Sequence, residues 1–176
     1  MRSTRPTTGD FAIRRLLALT LFIAATTWAC GEPKLSLDPE LVESAPVIDW
    51  SLLLKDPSES RTQERDRYLG AGPVRIAGYL VPLEDFPLDQ DEVPQKEFLL
   101  VPYAGACIHY PPPPPDQMIH VRMASGQAAI LNPWAWDPLE VVGDLRPEPL
   151  DSVYGAIGYQ MDGIAVREYG SDWKAQ

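Results

Sequence analysis

Short runs of alternating apolar and polar residues recur along the chain from residue 74 onwards, a pattern typical of half-buried β-strands. The clearest runs are VRIAGYLVPL (74–83) and QMIHVRM (117–123). A continuous apolar run, EFLLVPY (97–103), and a fourth segment, LEVVGDLR (139–146), precede the closing stretch SVYGAIGYQMDGIAVREY (152–169). Strands of this length, separated by turn residues, predict a small β-sandwich or β-barrel.

Two glycines refine this fold class. Gly78 and Gly143 lie in the middle of predicted strands, where a sharply coiled barrel strand needs a residue without a side chain. We therefore expect a mostly β fold, namely a small, five-stranded, partly open OB-like barrel with a short N-terminal helix.

The helix is predicted from the apolar residues between positions 48 and 54. It should begin near Asp49 or Ser51, both of which are good N-caps, and end by Pro57. The residues from 57 to 67 are mostly charged or polar, and they predict a surface loop or a solvated helix.

The first thirty residues predict a secretory signal rather than part of the fold. Four arginines precede the uncharged run LLALTLFIAATTWA (16–29). As a helix this run would be about 21 Å long, which is short of the roughly 30 Å hydrocarbon core of a bilayer. A basic start, a short apolar run and a small residue before the cleavage point describe a signal peptide. Because Cys30 follows, we expect a lipoprotein acylated there, then a polar tether over 31–45 and a single β-rich domain over 46–176.

The charge of the mature chain excludes one class of partner. The whole chain has 15 basic and 25 acidic residues, and the signal contains four Arg and one Asp. Residues 31–176 therefore contain 11 basic and 24 acidic residues, a formal net charge of −13. Such a domain is repelled by phosphate backbones, so we expect no nucleic-acid binding. Anionic lipid is excluded in the same way, and contact with the membrane would come only through a lipid anchor.

The stretch VPYAGACIHYPPPPPDQMIHVRM (101–123) brings together both histidines, one of the two cysteines and five consecutive prolines. The prolines at 111–115 favour an extended left-handed helix of roughly 15 Å, which would connect two strands rigidly. In an extended chain Cys107 and His109 lie on the same face. A thiolate beside an imidazole suits zinc and, with lower preference, copper(I). His120 is a third candidate ligand if the strand after the prolines runs back alongside.

Other interpretations of the same residues stay open. A lone buried cysteine often acts as a small hydrophobic residue, and His109 can instead satisfy a backbone carbonyl. His120 alternates with Met118 and Arg122, as a surface or core histidine does. A base two residues away would also allow Cys107 to act as a nucleophile, but the sequence places no oxyanion loop or third orienting residue beside it.

Three segments together resemble the bacterial family of domain of unknown function 3299: VRIAGYLVPLE, EFLLVPYAGACIHYPPPPPDQMIHV and YGAIGYQMDGIAV. The resemblance extends from about Ile48 to Tyr169 and rests on the GACIHYPPPPP segment. The positions that match the family hallmark are Gly105, Cys107, His109, Pro111, Pro112, Pro113, Pro114, Pro115 and Gln117. Asp116 departs from the family's asparagine, and His120 lies outside the hallmark. The resemblance implies a signal-bearing or lipid-anchored envelope protein, some relatives of which are associated with ABC transporters of the macrolide-exporter type.

These observations give three functional hypotheses. The first is a periplasmic or envelope-anchored protein that binds a transition metal, zinc first, and assists an ABC transporter. The second is a metal-free interaction module that docks through the CIHYPPPPP loop. The third is a thiol-dependent enzyme, and the missing catalytic partners make this class the weakest of the three.

Overall fold

The computed structural model describes residues 39–54, 59–83, 92–106, 111–131 and 137–171. The predicted signal, Cys30 and the first part of the predicted tether, 31–38, lie outside the described residues. In the described part of the chain, no helix is both long and apolar enough to span a membrane.

Three short helices precede the strands in the part of the chain that the structure describes: α1 at Pro39–Ser44, α2 at Trp50–Leu53 and α3 at Glu59–Asp66. Asp49 is the N-cap of α2, and its side chain accepts a hydrogen bond of 2.7 Å from the backbone N–H of Ser51. A cap of this kind satisfies a backbone donor that the first helical turn leaves free. The predicted helix start is therefore confirmed, and the predicted polar segment forms the solvated helix α3.

Within the described ranges nine strands follow, and their bounds are β1 Pro73–Pro82, β2 Val93–Gln95, β3 Glu97–Val101, β4 Ile119–Met123, β5 Ala129–Leu131, β6 Leu139–Arg146, β7 Leu150–Ser152, β8 Gly155–Ile157 and β9 Tyr159–Glu168. Five of them form a closed barrel in the order β1-β3-β4-β9-β6. The β4–β9 pair is parallel, and the other barrel pairs are antiparallel. The remaining strands form two small sheets, β2–β5 and β7–β8. The predicted mostly β, five-stranded OB-like barrel is confirmed.

The barrel is closed rather than partly open, because the long strand β1 pairs with two partners. Its first part, from Pro73 to Gly78, pairs with β6, and its second part, from Tyr79 to Pro82, pairs with β3. Gly78 lies where the partner changes. A Cβ atom there would be 2.7 Å from the carbonyl oxygen of Val101, which explains why the strand needs glycine at this position.

Inward-facing side chains fill the barrel. Its central core includes Val74, Ile76, Phe98, Leu100, Ile119, Val121, Val141, Leu145 and Met161, all buried. Tyr159 extends this core towards the helices, since its hydroxyl donates a 2.6 Å hydrogen bond to the carbonyl of Leu53 in α2. Burial raises the pKa of the Tyr159 phenol above its ordinary value of 10.0, so the hydroxyl keeps the proton that it donates.

Helix α1 packs on the outside of the barrel, although the sequence places residues 39–45 in the tether. Val42 and Ala45 are buried against Val142 of β6 and Ala165 of β9. The chain then continues along β1, where the N–H of Ile48 donates to the carbonyl of Arg75 at 2.9 Å. The described part of the predicted tether is therefore packed on the barrel wall.

Candidate functional site

The two central residues of the predicted metal site, Cys107 and His109, lie outside the described residues. Both ends of their segment are described: Ala106 on one side and Pro111 on the other. Gly105, next to Ala106, has φ 72°, and a Cβ atom there would have nothing within 4 Å. Glycine adopts this left-handed conformation without strain, which explains its presence at the turn that leads into the segment.

The proline run is extended at its end but does not continue so through all five residues. Pro114 has φ −56° and ψ 149°, which are polyproline II values. Pro115 begins a 3₁₀ turn that extends to Gln117, and the N–H of Gln117 donates to the carbonyl of Pro114 at 2.9 Å. The prediction of an extended rod over all five prolines is thus wrong at Pro115, because a fixed φ near −65° suits a 3₁₀ turn equally well.

The proline run lies beside the β7–β8 hairpin. A Cβ atom on Gly155 would be 3.7 Å from the Cγ of Pro112. The N–H of Gly158, just after β8, donates to the carbonyl of Pro115 at 2.8 Å. Pro113 is buried, whereas the other four prolines are exposed. The run therefore has one side against the protein and another in solvent.

A second apolar cluster, here called the outer cluster, covers the outside of the barrel at β1, β3 and the start of β4. Its buried members are Val81, Leu99, Val101, Ala106, Met118 and Ile157. The hairpin contributes Ile157 together with the partly buried Leu150 and Tyr154. The hydroxyl of Tyr154 donates to the carbonyl of Leu83 at 2.7 Å, which ties the hairpin to the end of β1.

His120 lies on this same outer wall. It is opposite Leu99 in the β3–β4 register and two residues after Met118, so all three side chains point outwards. His120 is only 7% exposed, and its Nε2 atom is 3.7 Å from the carboxylate oxygen Oε2 of Glu97. Strand β4 runs back antiparallel to β3, which is the condition under which His120 was a candidate ligand, and His120 is a buried outer-wall histidine.

The surroundings of His120 favour the neutral imidazole. Burial is the largest influence and lowers its pKa below the ordinary value of 6.5. The negative charge of Glu97 opposes this by raising the pKa, and the guanidinium of Arg122 lowers it. Because burial dominates, the ring keeps a free nitrogen lone pair at neutral pH, which a metal ligand needs.

Glu97 is the residue near the site that the sequence did not single out. Its carboxylate accepts a hydrogen bond from Nε of Arg122 at 3.0 Å as well as facing His120. Its position at the start of the apolar run EFLLV did not indicate a functional role, because only the β3–β4 register shows that it lies near His120. Among the described residues, no three His, Cys, Asp or Glu side chains group closely enough to hold a metal ion.

Further charges continue across the same side of the barrel. The guanidinium of Arg146 on β6 donates to the carboxylate of Asp162 on β9 at 2.7 Å. This hydrogen bond lowers the pKa of Asp162 below its ordinary value of 3.8. Asp162 is also the register partner of Arg122 on β4. Opposite charges on neighbouring strands therefore alternate from Glu97 to Arg146.

A small cleft of about 190 Å³ lies elsewhere, between the segment that contains α2 and helix α3. Its polar lining includes Asp49, Ser51, Arg61 and Glu64. Asp49 and Ser51 are already engaged in the α2 cap. The cleft therefore has a structural explanation and lies apart from the outer cluster.

The described features define a small OB-like barrel with one outer wall covered by a hairpin and a proline run. The family model described as a protein of unknown function, DUF3299, matches residues 54–168, and the chain belongs to this family. The chain is also similar to a DUF3299 family protein from Pseudomonas aeruginosa PAO1 of known crystal structure. The two sequences are 27% identical, and the two structures superpose with a TM-score of 0.50. That similarity covers 74% of this chain and 99% of the other. No curated protein matches the sequence.

Proposed function

We propose that this protein binds a transition metal, zinc first, in the cell envelope through Cys107 and His109, with His120 as the neighbouring third ligand. The observation that supports this most is the packing of Ala106. It lies in the outer cluster with Leu99, the cross-strand partner of His120, and with Met118, which comes two residues before His120. The chain thus enters the Cys107–His109 segment from the wall on which His120 lies.

The chemistry of the described residues fits zinc. His120 offers a neutral imidazole, and the nearby Glu97 offers a carboxylate oxygen. Zinc accepts sulfur, nitrogen and oxygen ligands together in a tetrahedral shell. Copper(I) prefers soft ligands, so a nearby carboxylate favours zinc over copper(I).

The location on the barrel supports a binding role. OB-type barrels bind their ligands on the outer face of the second and third strands and on the adjoining loops. In this chain the second and third barrel strands are β3 and β4. Leu99 and His120 are on that face, so the proposed metal site lies on the side of the barrel where OB folds commonly bind ligands.

The proposed location in the cell envelope is inferred from the sequence and from the family resemblance. The signal at 1–30 and acylation at Cys30 are predictions from the sequence, and the accessory role beside an ABC transporter comes from the family resemblance. A Cys30→Ala variant tests the anchor, because it should move the protein from the membrane fraction to the soluble envelope fraction. Unchanged fractionation would contradict acylation at Cys30.

Elemental analysis of the purified mature protein tests the metal site. We expect bound zinc in the wild type and its loss in the Cys107→Ala and His109→Ala variants. His120→Ala should weaken zinc binding, whereas Glu168→Ala, at the exposed end of β9, should retain it. A wild-type protein without metal after zinc loading, or a Cys107→Ala variant with unchanged zinc content, would contradict the proposal.

The second candidate function is a metal-free docking module, which is favoured by exposed apolar residues in the hairpin turn and in the proline run. Val153 at the hairpin turn is 93% exposed, and four of the five prolines are exposed nearby. A preorganised proline surface loses little entropy when it docks. The metal analysis separates the two functions.

The thiol-dependent enzyme is tested by alkylation, because a Cys107 that no reagent reaches in metal-free protein cannot be a nucleophile for an external substrate.

A further inference from the structure

Helix α1 covers one row of outward-facing residues on the barrel. In the strand register, Val142 of β6 lies between Arg75 of β1 and Ala165 of β9. Val42 of α1 packs on Val142 and Ala165. The helix has six residues, of which Val42 is the buried one. A small apolar contact therefore holds α1 on the barrel wall.

The chain that follows α1 is fixed to β1 by two backbone hydrogen bonds. The N–H of Arg75 donates to the carbonyl of Pro46 at 2.8 Å, and the N–H of Ile48 donates to the carbonyl of Arg75 at 2.9 Å. They belong to a parallel bridge between Val47 and Arg75. Because α1 ends before this bridge, the helix can lift while both hydrogen bonds stay in place.

The side chain of Arg75 lies between a carboxylate of the barrel and a carboxylate of α1. Glu140 of β6 is 6% exposed and accepts a 2.7 Å hydrogen bond from Nε of Arg167. The Nε of Arg75 is 3.8 Å from Oε1 of Glu140, and its Nη1 is 3.8 Å from Oε2 of the exposed Glu43. Both distances are too long for hydrogen bonds, so Arg75 attracts the two carboxylates through charge.

We propose that α1 is a hinged flap on the barrel wall and that the Nε of Arg75 keeps it poised to open. This Nε is buried and has no hydrogen-bond partner in the part of the chain that the structure describes. A buried donor without an acceptor destabilises the state that buries it. That state is the closed flap, and water reaches the Nε when the flap lifts.

The flap goes beyond the proposed function, because it lies on β6 and β9 and metal binding plays no part in it. Opening uncovers Val142 and Ala165, which α1 covers in the closed state. Small units with few buried contacts open at lower free energy than the rest of a protein. Helix α1 is such a unit, so we expect it to open while the barrel stays folded.

The test is the rate at which iodoacetamide alkylates single cysteines under native conditions. A Cys30→Ser, Cys107→Ser background removes both native thiols. Val42→Cys reports on the flap, Leu41→Cys on the exposed face gives the rate of an uncovered thiol, and Val141→Cys in the core reports on the barrel. We expect Val42→Cys to react at least about tenfold more slowly than Leu41→Cys and at least about tenfold faster than Val141→Cys.

Arg75→Lys isolates the effect of the unpaired donor, because it replaces the Nε–H by a methylene group and keeps the positive charge. It should slow the alkylation of Val42→Cys about tenfold by stabilising the closed flap. Glu43→Gln removes an exposed charge that attracts the flap to Arg75, so it should raise the rate about twofold. Arg146→Lys is the matched control, since Arg146 is bonded to Asp162 away from α1, and it should leave the rate unchanged.

Equal rates for Val42→Cys and Val141→Cys would overturn the flap, because α1 would then open only with the barrel. Equal rates for Val42→Cys and Leu41→Cys would show that α1 does not cover the wall. An unchanged or higher rate in Arg75→Lys, or the same decrease in Arg146→Lys, would overturn the role of the Nε. If Val141→Cys does not fold, the urea dependence of the Val42→Cys rate replaces it. Local opening exposes little surface and should depend only weakly on urea, and a dependence as steep as that of global unfolding would contradict the flap.

Discussion

Glu97 and His120 lie on adjacent antiparallel strands of the barrel, diagonal to each other in the register, with the carboxylate Oε2 3.7 Å from the imidazole Nε2. The carboxylate is half exposed, whereas the imidazole is buried. The half-exposed carboxylate of Glu97 therefore influences the pKa of the buried imidazole. Glu97 and Arg122 shift the pKa of His120 in opposite directions.

The first prediction concerns the pKa of His120. Glu97 raises this pKa and Arg122 lowers it, in both cases through charge. Glu97→Gln should therefore lower the pKa of His120 further below 6.5, and Arg122→Gln should raise it towards that value. An NMR titration of the His120 ring signals in metal-free protein measures both shifts. Shifts of the same sign in the two variants would rule out this account.

The second prediction links the same group to stability. Burial lowers the pKa of His120 in the folded state. As the pH falls below 6.5, the unfolded chain therefore binds more protons at His120 than the folded protein does. The free energy of unfolding should then decrease as pH falls through 6.5. Urea unfolding measures this free energy in the wild type and in His120→Gln. Between about pH 7 and pH 5, where most carboxylates stay ionised, it should decrease more steeply with falling pH in the wild type. Parallel curves for the two proteins would contradict the prediction.

The third prediction tests whether α1 belongs to the fold. Val42 is 2% exposed against Val142 and Ala165, whereas the preceding Leu41 is 46% exposed. Val42→Ala should cost about 2 kcal/mol of unfolding free energy, because it leaves a cavity at the barrel wall. Leu41→Ala, the control, should stay within about 0.5 kcal/mol of wild type. Equal effects in denaturant unfolding would mean that α1 is not packed as described.

Strand β1 could be predicted because its side chains alternate, and β3 because it is a continuous apolar run, of which four of five residues are buried. In β1, the buried residues Val74, Ile76 and Leu80 face the interior and the residues between them are more exposed. The hairpin β7–β8 was not predicted, because strands of three residues are too short to show a period of two. Helix α1 was assigned to the tether for a similar reason, since six residues with one buried side chain carry little helical periodicity.

The candidate site was predictable only in part. The sequence identified His120 and the strand that contains it, but it could not identify Glu97 as a neighbour. That pairing depends on the β3–β4 register, which is set by contacts far apart in the chain. The requirement for glycine at position 158 depends on a similar long-range approach, here to Pro115. Cys107 and His109 lie outside the described residues, so their predicted role is carried by the proposal alone.

The fourth prediction concerns the glycine at the β6–β9 irregularity. The register shifts between Val142 and Gly143, and a Cβ atom on Gly143 would collide with the backbone carbonyl of Asp162. Gly143→Ala should destabilise the fold by about 3 kcal/mol, the upper part of the range for overpacked sites. Gly126→Ala is the control, because nothing lies within 4 Å and only its φ of 84° is strained. It should cost about 1 kcal/mol. Thermal or urea unfolding of both variants checks the order, and equal costs would mean that the close approach is not what requires glycine.

The last prediction uses the charge pair between Arg146 and Asp162. The hydrogen bond from Arg146 lowers the pKa of Asp162 below 3.8 in the folded state. Its stabilising effect is therefore present above that value and is lost as the pH falls through the folded-state pKa. Because both side chains are partly exposed, Asp162→Asn should cost no more than about 1 kcal/mol near neutral pH.

That cost should shrink in about 1 M salt, which screens exposed charges, and disappear in acid. Asp151→Asn, at an exposed position on β7, is the matched control. Urea unfolding at neutral and acidic pH, each at low and high salt, measures the difference between the two variants. A cost for Asp162→Asn that is unchanged by acid would show that the side chain stabilises the barrel through packing, and not through its charge.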